Sequence, residues 1–250
     1  MKVVATLLAL AVLPATAWDV QSREVLAAPA RSLEICETRL GNPDRPVTVT
    51  SIVFGERAFT LRVVDSPSPG ESRLAPTLEE VGAVAGVNGG YFHSDQRPVG
   101  LMIVDGREIH PFQRAKLLSG VLEVRAGKIA IVRSSRFSPA RDVREAIQCG
   151  PMLVDGGEAV AGLNAVTSAR RTVVATDGRG RWALAYLTSV TLADAAGILL
   201  TPGVFGDWTP RTALNLDGGG SSGLWAAGPP VVSRPEFSRV RNFIGVVPRR

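Results

Sequence analysis

Asn215–Trp225 reads NLDGGGSSGLW, a short apolar segment followed by a carboxylate, three glycines and two serines. The residues before Asp217 are mostly apolar and predict a buried strand that carries the carboxylate to its end. Glycines adopt backbone angles that other residues resist, so a ligand can approach the main chain closely and amide groups can face an anion. The hydroxyls of Ser221 and Ser222 add further donors. A plain glycine-rich hairpin with a solvated aspartate is the alternative interpretation.

The amino-terminal segment has the pattern of an export signal. Lys2 precedes an apolar run from Val3 to Leu13, and small residues at positions 15 and 17 fit a cleavage site. The run of about 11 residues is too short to span a bilayer as a helix, and no later segment approaches about 18 uninterrupted apolar residues. We therefore predict a removed signal peptide at residues 1–17, a single domain at residues 18–250, and a periplasmic or secreted protein without an integral membrane segment.

The formal net charge of the chain is +5, and all but three of its 28 basic residues are arginine. The planar guanidinium group suits phosphate and carboxylate partners, although arginine also accumulates in chains encoded by GC-rich genomes. The arginines are scattered through predicted strands and turns, so the sequence does not favour nucleic-acid binding. The charge is compatible with an anionic small molecule or glycan.

The chain contains two cysteines, Cys36 and Cys149. In an exported protein an even pair predicts a disulfide, worth about 4–5 kcal/mol for a loop of this length in the chain-entropy model. Two isolated buried thiols are the alternative. Only His93 and His110 accompany the cysteines, without the spacing of metal ligands, so we predict neither a zinc site nor a cofactor. Calcium bound by turn carboxylates stays open.

Strand patterns dominate the chain. Strand–turn–strand patterns predict three hairpins, at residues 47–65, 101–109 and 120–132. Further strands are predicted at residues 173–176, 182–187, 212–216 and 237–247. Helix signals mark residues 77–86, 138–148 and 191–199. Because helices are few and do not alternate regularly with strands, the predicted fold class is α+β, with mainly antiparallel or mixed β-sheets and a few short helices.

Two further polar turns adjoin predicted strands. Asn88-Gly89-Gly90 is typical of a tight hairpin turn, but its short leading strand and the two aromatic residues behind it favour an amide presented at the floor of a pocket. Arg170 and Arg171 stand at a strand entrance. They fit anion ligands, or a solvated pair that prevents edge-to-edge strand pairing.

Five segments in this order resemble the phosphodiester glycosidase family. They are VNGGYF (87–92), CGPMLVDGG (149–157), RRTVVATDGRGR (170–181), NLDGGGSS (215–222) and RNFIGV (241–246). The resemblance covers roughly residues 80–248, and NLDGGGSS is its most specific part. It implies an α+β fold, hydrolysis of a sugar-1-phosphodiester and a pocket formed by these loops. Ala175 and Arg241 depart from the family pattern, in which glycine and proline are common at these positions.

The residues of these segments have chemistry that suits such a reaction. Cleavage at the anomeric carbon develops oxocarbenium character, which requires at least one carboxylate to stabilise charge or direct water. Asp217 is the leading catalytic candidate, Asn88 is the second, and Asp155 is a candidate partner carboxylate. Arginines and glycine amides would hold the phosphate, and polar side chains the sugar. The substrate-binding candidates are Gly89, Gly90, Asp155, Arg170, Arg171, Gly218, Gly219, Gly220, Ser221, Ser222 and Asn242.

Two other functional classes compete with an exported sugar-1-phosphodiester hydrolase. A serine hydrolase would use Ser221 or Ser222, but GGGSSGL does not satisfy the G-x-S-x-G elbow and only two histidines are present. A non-catalytic module could use the same polar loops to bind anionic glycan or to assist envelope polysaccharide assembly. Steady turnover of a sugar-1-phosphodiester by the purified protein would separate these alternatives.

Overall fold

A computed structural model describes residues 18–41, 46–67 and 73–249. The predicted signal peptide, residues 1–17, lies outside the described residues. None of the helices in the described part of the chain has the length and apolarity needed to cross a membrane.

Strands make up most of the regular structure. The described strands are β1 (Asp19–Ala30), β2 (Leu33–Gly41), β3 (Val47–Gly55), β4 (Phe59–Asp65), β5 (Ala85–Asn88), β6 (Met102–Val104), β7 (Arg107–His110), β8 (Gly120–Arg125), β9 (Lys128–Arg133), β10 (Val143–Cys149), β11 (Met152–Asp155), β12 (Glu158–Ala159), β13 (Ala169–Thr176), β14 (Arg181–Val190), β15 (Thr212–Asn215), β16 (Leu224–Ala226), β17 (Val232–Arg234) and β18 (Asn242–Pro248). The described helices are α1 (Leu74–Glu80) and α2 (Leu192–Leu200), with short 3₁₀ turns at Ser134–Arg136 and Gly219–Ser221.

These strands form three sheets. Sheet I has the order β1-β2-β3-β14-β13-β15-β11-β12, sheet II has β7-β6-β10-β8-β9, and sheet III has β17-β16-β5-β18-β4. Every pairing between these described strands is antiparallel. The predicted antiparallel sheets with few helices are therefore confirmed, but the fold is β-rich rather than a balanced α+β class.

The main hydrophobic core lies where the three sheets face one another. It contains Ile52 and Leu184 from sheet I, Leu122 and Ile147 from sheet II, and Val87 from sheet III. A second cluster involves sheet I and α2, which packs against β11, β12 and β14. In the same way α1 packs on β5, β16 and β18 of sheet III. Each helix thus covers one sheet.

Two of the three predicted hairpins, at residues 101–109 and 120–132, and the helix predicted at residues 191–199 are confirmed. β6 pairs with β7, β8 with β9, and β13 with β14, each across a short turn. At the start of α2 the Thr191 hydroxyl accepts a hydrogen bond from the Asp194 amide at 3.0 Å, and the Asp194 carboxylate accepts one from the Thr191 amide at 3.3 Å. This capping box satisfies two amides that the helix itself leaves unpaired.

The start of α1 differs from the prediction. The helix begins at Leu74, three residues before the predicted capping pattern at Thr77, and Arg73 supplies no side-chain cap. Instead, the Glu236 carboxylate accepts a hydrogen bond from the Leu74 amide at 3.0 Å. A residue far away in the chain therefore caps this helix, which a local pattern does not reveal.

Two predicted elements are wrong. The helix predicted at residues 138–148 is instead strand β10, which pairs with β6 and β8 in the middle of sheet II. Partners on both sides outweigh a weak local helix preference. The hairpin predicted at residues 47–65 forms its two strands, but β3 pairs with β2 and β14 in sheet I, whereas β4 pairs with β18 in sheet III. The turn therefore joins two sheets.

The predicted disulfide is not formed. Cys36 and Cys149 are both buried free thiols, on β2 of sheet I and at the end of β10 of sheet II. The Cys36 sulfur accepts a hydrogen bond from the Arg23 guanidinium at 3.0 Å. Cys149 packs in the main core. The two sulfur atoms therefore have different surroundings and are not bonded to each other.

Candidate active site

Asp217 directly follows β15 and its neighbour Leu216, at the seam between sheet I and sheet III. Its amide donates to the Gly89 carbonyl at 3.0 Å, and its own carbonyl accepts from the Asn88 side-chain amide at 2.8 Å. The Leu216 amide donates to the Thr172 carbonyl at 2.8 Å. Hydrogen bonds to the Asn88 side chain, to Gly89 and, through Leu216, to Thr172 of β13 thus fix Asp217, so the carboxyl group projects from a rigid frame rather than from a loose hairpin.

Asp217 is half-buried. Burial raises its pKa above the ordinary value, while hydrogen bonds from the Ser221 side chain and the Gly218 amide oppose that shift. The Gly218 amide donates to Oδ1 at 2.9 Å. Because desolvation outweighs these two donors, the carboxylate is a stronger base than a solvated one and is suited to proton transfer or to stabilising developing positive charge.

Arg171 lies half-buried next to the glycines that follow Asp217. Its Nε donates to the Val190 carbonyl at 3.0 Å and its Nη2 to the Thr167 carbonyl at 2.7 Å. Nη1 lies 3.9 Å from the place that a Cβ on Gly218 would occupy. Burial lowers the Arg171 pKa. The guanidinium is therefore fixed by main-chain carbonyls while one edge faces the glycine loop, defined here as Gly218, Gly219 and Gly220.

Arg170 approaches the same loop from the preceding position. Its Nε donates to the Gly219 carbonyl at 2.9 Å. A Cβ on Gly218 would come within 2.9 Å of the Arg170 carbonyl, so only glycine fits the approach of the loop to β13. Gly219 has a positive φ of 62° and open space on its Cβ side. The glycine loop is thus close to two arginines and open on one side.

Tyr91 lies near enough to Asp217 for the two side chains to interact electrostatically. Its hydroxyl donates to the Gly150 carbonyl at 2.6 Å and accepts from the Asn215 side-chain amide at 3.0 Å. Burial, together with the negative charges of Cys149 and Asp217 when ionised, raises the pKa of Tyr91. The hydroxyl therefore stays protonated. Asn215 is buried, and its Oδ1 has no partner among the described residues.

Asn88 is buried, and both the oxygen and the nitrogen of its side-chain amide form hydrogen bonds with other residues. Its Oδ1 accepts from the Thr172 hydroxyl at 2.7 Å and from the Gly223 amide at 3.0 Å, while its Nδ2 holds the Asp217 carbonyl. These contacts position the main chain around Asp217. A direct catalytic role for Asn88 stays a prediction.

Asn242, Gly89 and Gly90 form a second support. The Asn242 Oδ1 accepts from the Gly90 amide at 2.7 Å, and its Nδ2 donates to the Gly90 carbonyl at 3.3 Å. A Cβ on Gly89 would lie 2.0 Å from the Asn242 Oδ1, and one on Gly90 would lie 3.0 Å from the Ile147 side chain. All three are buried, so they hold the turn after β5 against its neighbours.

The serines of NLDGGGSS differ in their surroundings. Ser221 is buried and hydrogen-bonds the Asp217 carboxyl group. Ser222 is also buried, and its hydroxyl oxygen has no partner among the described residues. Among the described residues the Ser222 hydroxyl thus has no histidine partner, and the His110 ring lies 3.0 Å from the Gly100 carbonyl through Nδ1. Ser221 therefore supports the carboxylate.

Residues 81–247 match the family model for phosphodiester glycosidases. The chain belongs to this family. The match spans the turn after β5, the β13 arginines, NLDGGGSS and β18, which are the segments that meet at Asp217. Among curated proteins, none matches the chain.

Two solved structures share the fold of this phosphodiester glycosidase. The catalytic domain of zebrafish N-acetylglucosamine-1-phosphodiester alpha-N-acetylglucosaminidase, auto-inhibited by its pro-peptide, is 18% identical with a TM-score of 0.66, and the match covers 91% of this chain and 88% of that one. A hypothetical protein from Synechocystis is 17% identical with a TM-score of 0.64, covering 88% of this chain and 63% of that one. At such identities the likeness shows the fold.

Asp155 is the predicted site residue that the structure places elsewhere in this phosphodiester glycosidase. It lies opposite Thr212, at the start of β15, whereas Asp217 follows the other end of that strand. Its carboxylate pairs with Arg133. The other candidates gather around Asp217 as contacting residues or as supports.

Sequence reasoning missed three contributors to the site. Tyr91 and Asn215 stand inside the quoted motifs, so their hydrogen-bonding side chains could have been considered with their neighbours. Thr172 follows the two arginines, and its hydroxyl bonds Asn88. The spacing of these residues in the chain gives no sign that their side chains meet.

Proposed function

We propose that the protein is an exported hydrolase that cleaves the glycosidic bond of a sugar-1-phosphodiester in a glycan or envelope-related substrate. Family membership supports a glycosidase acting on a phosphodiester. The observation that carries the proposal is the desolvated Asp217 carboxyl group next to a glycine loop that two arginines approach. Export rests on the pattern of residues 1–17.

Each part of the site has a task in this reaction. The arginines and the loop amides bind the phosphodiester, which carries one negative charge. The Asp217 carboxylate faces the anomeric carbon, where it stabilises positive charge or directs water. The anomeric C–O bond breaks, water adds its hydroxyl to the sugar, and the phosphate leaves as a monoester of the remaining alcohol.

The test is a turnover assay with the purified mature chain. The substrates are methyl phosphodiesters of hexose-1-phosphates in both anomeric forms, followed by phosphorus NMR. In water labelled with ¹⁸O, the proposal requires the label in the released sugar. Label in the phosphate monoester would indicate P–O cleavage instead. Saturable binding without any turnover would favour the non-catalytic glycan-binding alternative.

Export has a separate test. Expression of the full chain followed by cell fractionation should give a protein shortened at its amino terminus, outside the cytoplasm. An unshortened chain in the cytoplasmic fraction would contradict this part of the proposal without affecting the chemistry.

A further inference from the structure

Phe237 is a large apolar side chain held in water beside the glycine loop. It is 74% exposed. Its amide donates to the Gly220 carbonyl at 2.8 Å, and the next amide, of Ser238, donates to the same carbonyl at 3.0 Å. The ring is therefore attached by main-chain bonds to the end of the loop that Asp217 begins.

The guanidinium group of Arg170 stacks on the Phe237 ring, with its carbon 3.9 Å from the ring centroid. The Nε of Arg170 donates to the Gly219 carbonyl at 2.9 Å. Within the described part of the chain, its terminal nitrogens have no hydrogen-bond acceptor. The stacked pair thus combines free cationic donors with an uncovered aromatic surface, and both partners are bonded to the glycine loop.

Phe237 is exposed although the segment that carries it is anchored on both sides. The preceding Glu236 carboxylate caps α1 through the Leu74 amide, and Val240 is buried in the cluster under α1. Leaving most of a phenyl ring in water forgoes the free energy that burial gives, and Phe237 stays 74% exposed even though the Arg170 guanidinium stacks on its ring. A ring held in this way is preorganised for contact with a ligand.

We propose that Phe237, stacked on Arg170, is the binding site for the sugar ring on the alcohol side of the phosphate. This inference rests on the proposed function. Along the chain from Asp217 come the glycine amides, then the Gly219 carbonyl that Arg170 contacts, and then the Gly220 carbonyl that Phe237 contacts. A substrate presents its parts in the same order: glycosyl carbon, phosphate, then the alcohol. The C–H face of a pyranose carries slight positive charge and suits the negative face of an aromatic ring.

The experiment compares two diesters of the same sugar-1-phosphate. One carries a methyl group on the alcohol side, and the other carries a pyranose joined through its primary hydroxyl. Phe237→Ala should lower kcat/KM about fivefold to tenfold for the pyranosyl diester, through KM, and leave the methyl diester unchanged. Phe237→Trp should preserve the preference. Val231→Ala, which truncates another exposed apolar side chain, is the control.

Binding measurements keep this inference separate from the proposed function. Calorimetric titration of both diesters into Asp217→Asn, with and without Phe237→Ala, reports the preference without turnover. Loss of the pyranosyl preference in the double variant supports the sugar site even if the parent turns over neither diester, which would overturn only the proposed function. Equal binding of both diesters, or a preference unaffected by Phe237→Ala, would overturn the sugar site.

Discussion

The Asp217 carboxyl group combines two opposed influences. Desolvation disfavours its charged form, while the Ser221 hydroxyl and the Gly218 amide favour it, and the net effect is a raised pKa. In the folded protein the proton is therefore bound more tightly than in the unfolded chain. The unfolding free energy accordingly falls as the pH rises from the ordinary aspartate range through the raised value. At neutral pH the charged Asp217 carboxylate therefore lowers the unfolding free energy.

Asp217→Asn separates catalysis from stability. Asparagine keeps an oxygen for the Gly218 amide but lacks the charge, so we expect turnover to fall about a hundredfold or more. The thermal midpoint at neutral pH should be equal or higher, because a buried charge has been removed. Steady-state kinetics and thermal unfolding of both proteins measure this. Near-normal turnover would show that another group supplies the charge.

Apart from Asp155, the residues that the sequence predicts for the site lie around Asp217, but the sequence does not tell which way their side chains face. Asn88, Asn242 and Asp217 all follow or begin strands near glycines, and the pattern treats them alike. In the fold, Asn88 and Asn242 turn inward to hold main-chain groups, and only Asp217 keeps a partly exposed carboxyl group. The difference comes from hydrogen-bond partners that lie far away in the sequence, such as Thr172 for Asn88.

At the scale of elements, Asn88 connects β5 with β13 and with the segments on both sides of the glycine loop. Asn88→Ala would leave the Thr172 hydroxyl, the Gly223 amide and the Asp217 carbonyl without this partner in a buried place. We expect a loss of about 2–4 kcal/mol in unfolding free energy, since each unpaired buried group costs about 1–3 kcal/mol and relaxation recovers part of it. Chemical denaturation measures it.

A matched control is Asn164→Ala, which removes a side chain that bonds only nearby amides in an exposed loop. That variant should change the unfolding free energy by much less. If Asn88→Ala has the unfolding free energy of the parent but has lost turnover, Asn88 acts on the substrate and does not stabilise the fold around Asp217.

Strand β10 shows why local pattern misleads. Val143, Ala146 and Ile147 have a spacing that fits one face of a helix. In sheet II the same segment is central, so residues on both faces are buried, including Glu145 and Gln148. Pairing with β6 and β8, which come earlier in the chain, favours the strand. The residues of the segment itself do not reveal these partners.

Glu145 makes β10 sensitive to pH. Its carboxylate accepts a hydrogen bond from the Val63 amide at 3.1 Å, and burial raises its pKa to about 7. Because the folded pKa exceeds the ordinary value of 4.5, stability should fall as the pH rises from about 4.5 through about 7. Glu145→Gln keeps an acceptor without the charge, so its advantage over the parent should grow by about 1–3 kcal/mol across that window.

Urea denaturation at pH 4.5, 6 and 8 would measure this difference. Glu108→Gln, at an exposed position of β7, serves as the control and should track the parent. An unfolding free-energy difference between Glu145→Gln and the parent that does not change with pH would mean that Glu145 titrates normally in the fold.

At the scale of the whole molecule, the sequence predicts strands and short hairpins better than it predicts sheets. The turns between β6 and β7 and between β8 and β9 bring strands together within a few residues, so local chemistry is enough. Assigning β3 to sheet I and β4 to sheet III depends on β14 and β18, more than a hundred residues further along. The seam that holds Asp217 arises from these distant pairings.

The same three-sheet arrangement decides the state of the cysteines. Cys36 lies in sheet I next to Arg23, Cys149 ends β10 in the core, and neither sulfur bonds the other. Burial raises the pKa of Cys36 to about 11 and that of Cys149 to about 12, so both stay protonated and poorly reactive at pH 8.

We therefore expect neither cysteine of the purified, unreduced mature chain to react with a thiol reagent at pH 8 while the protein is folded. In denaturant both should react, giving two thiols per chain. Cys36→Ser should give one, which assigns the count, and a reductant should leave the thermal midpoint of the parent unchanged because there is no bridge to break. Absence of reactive thiols after unfolding, together with a midpoint lowered by reductant, would show that the exported protein forms the bridge after all.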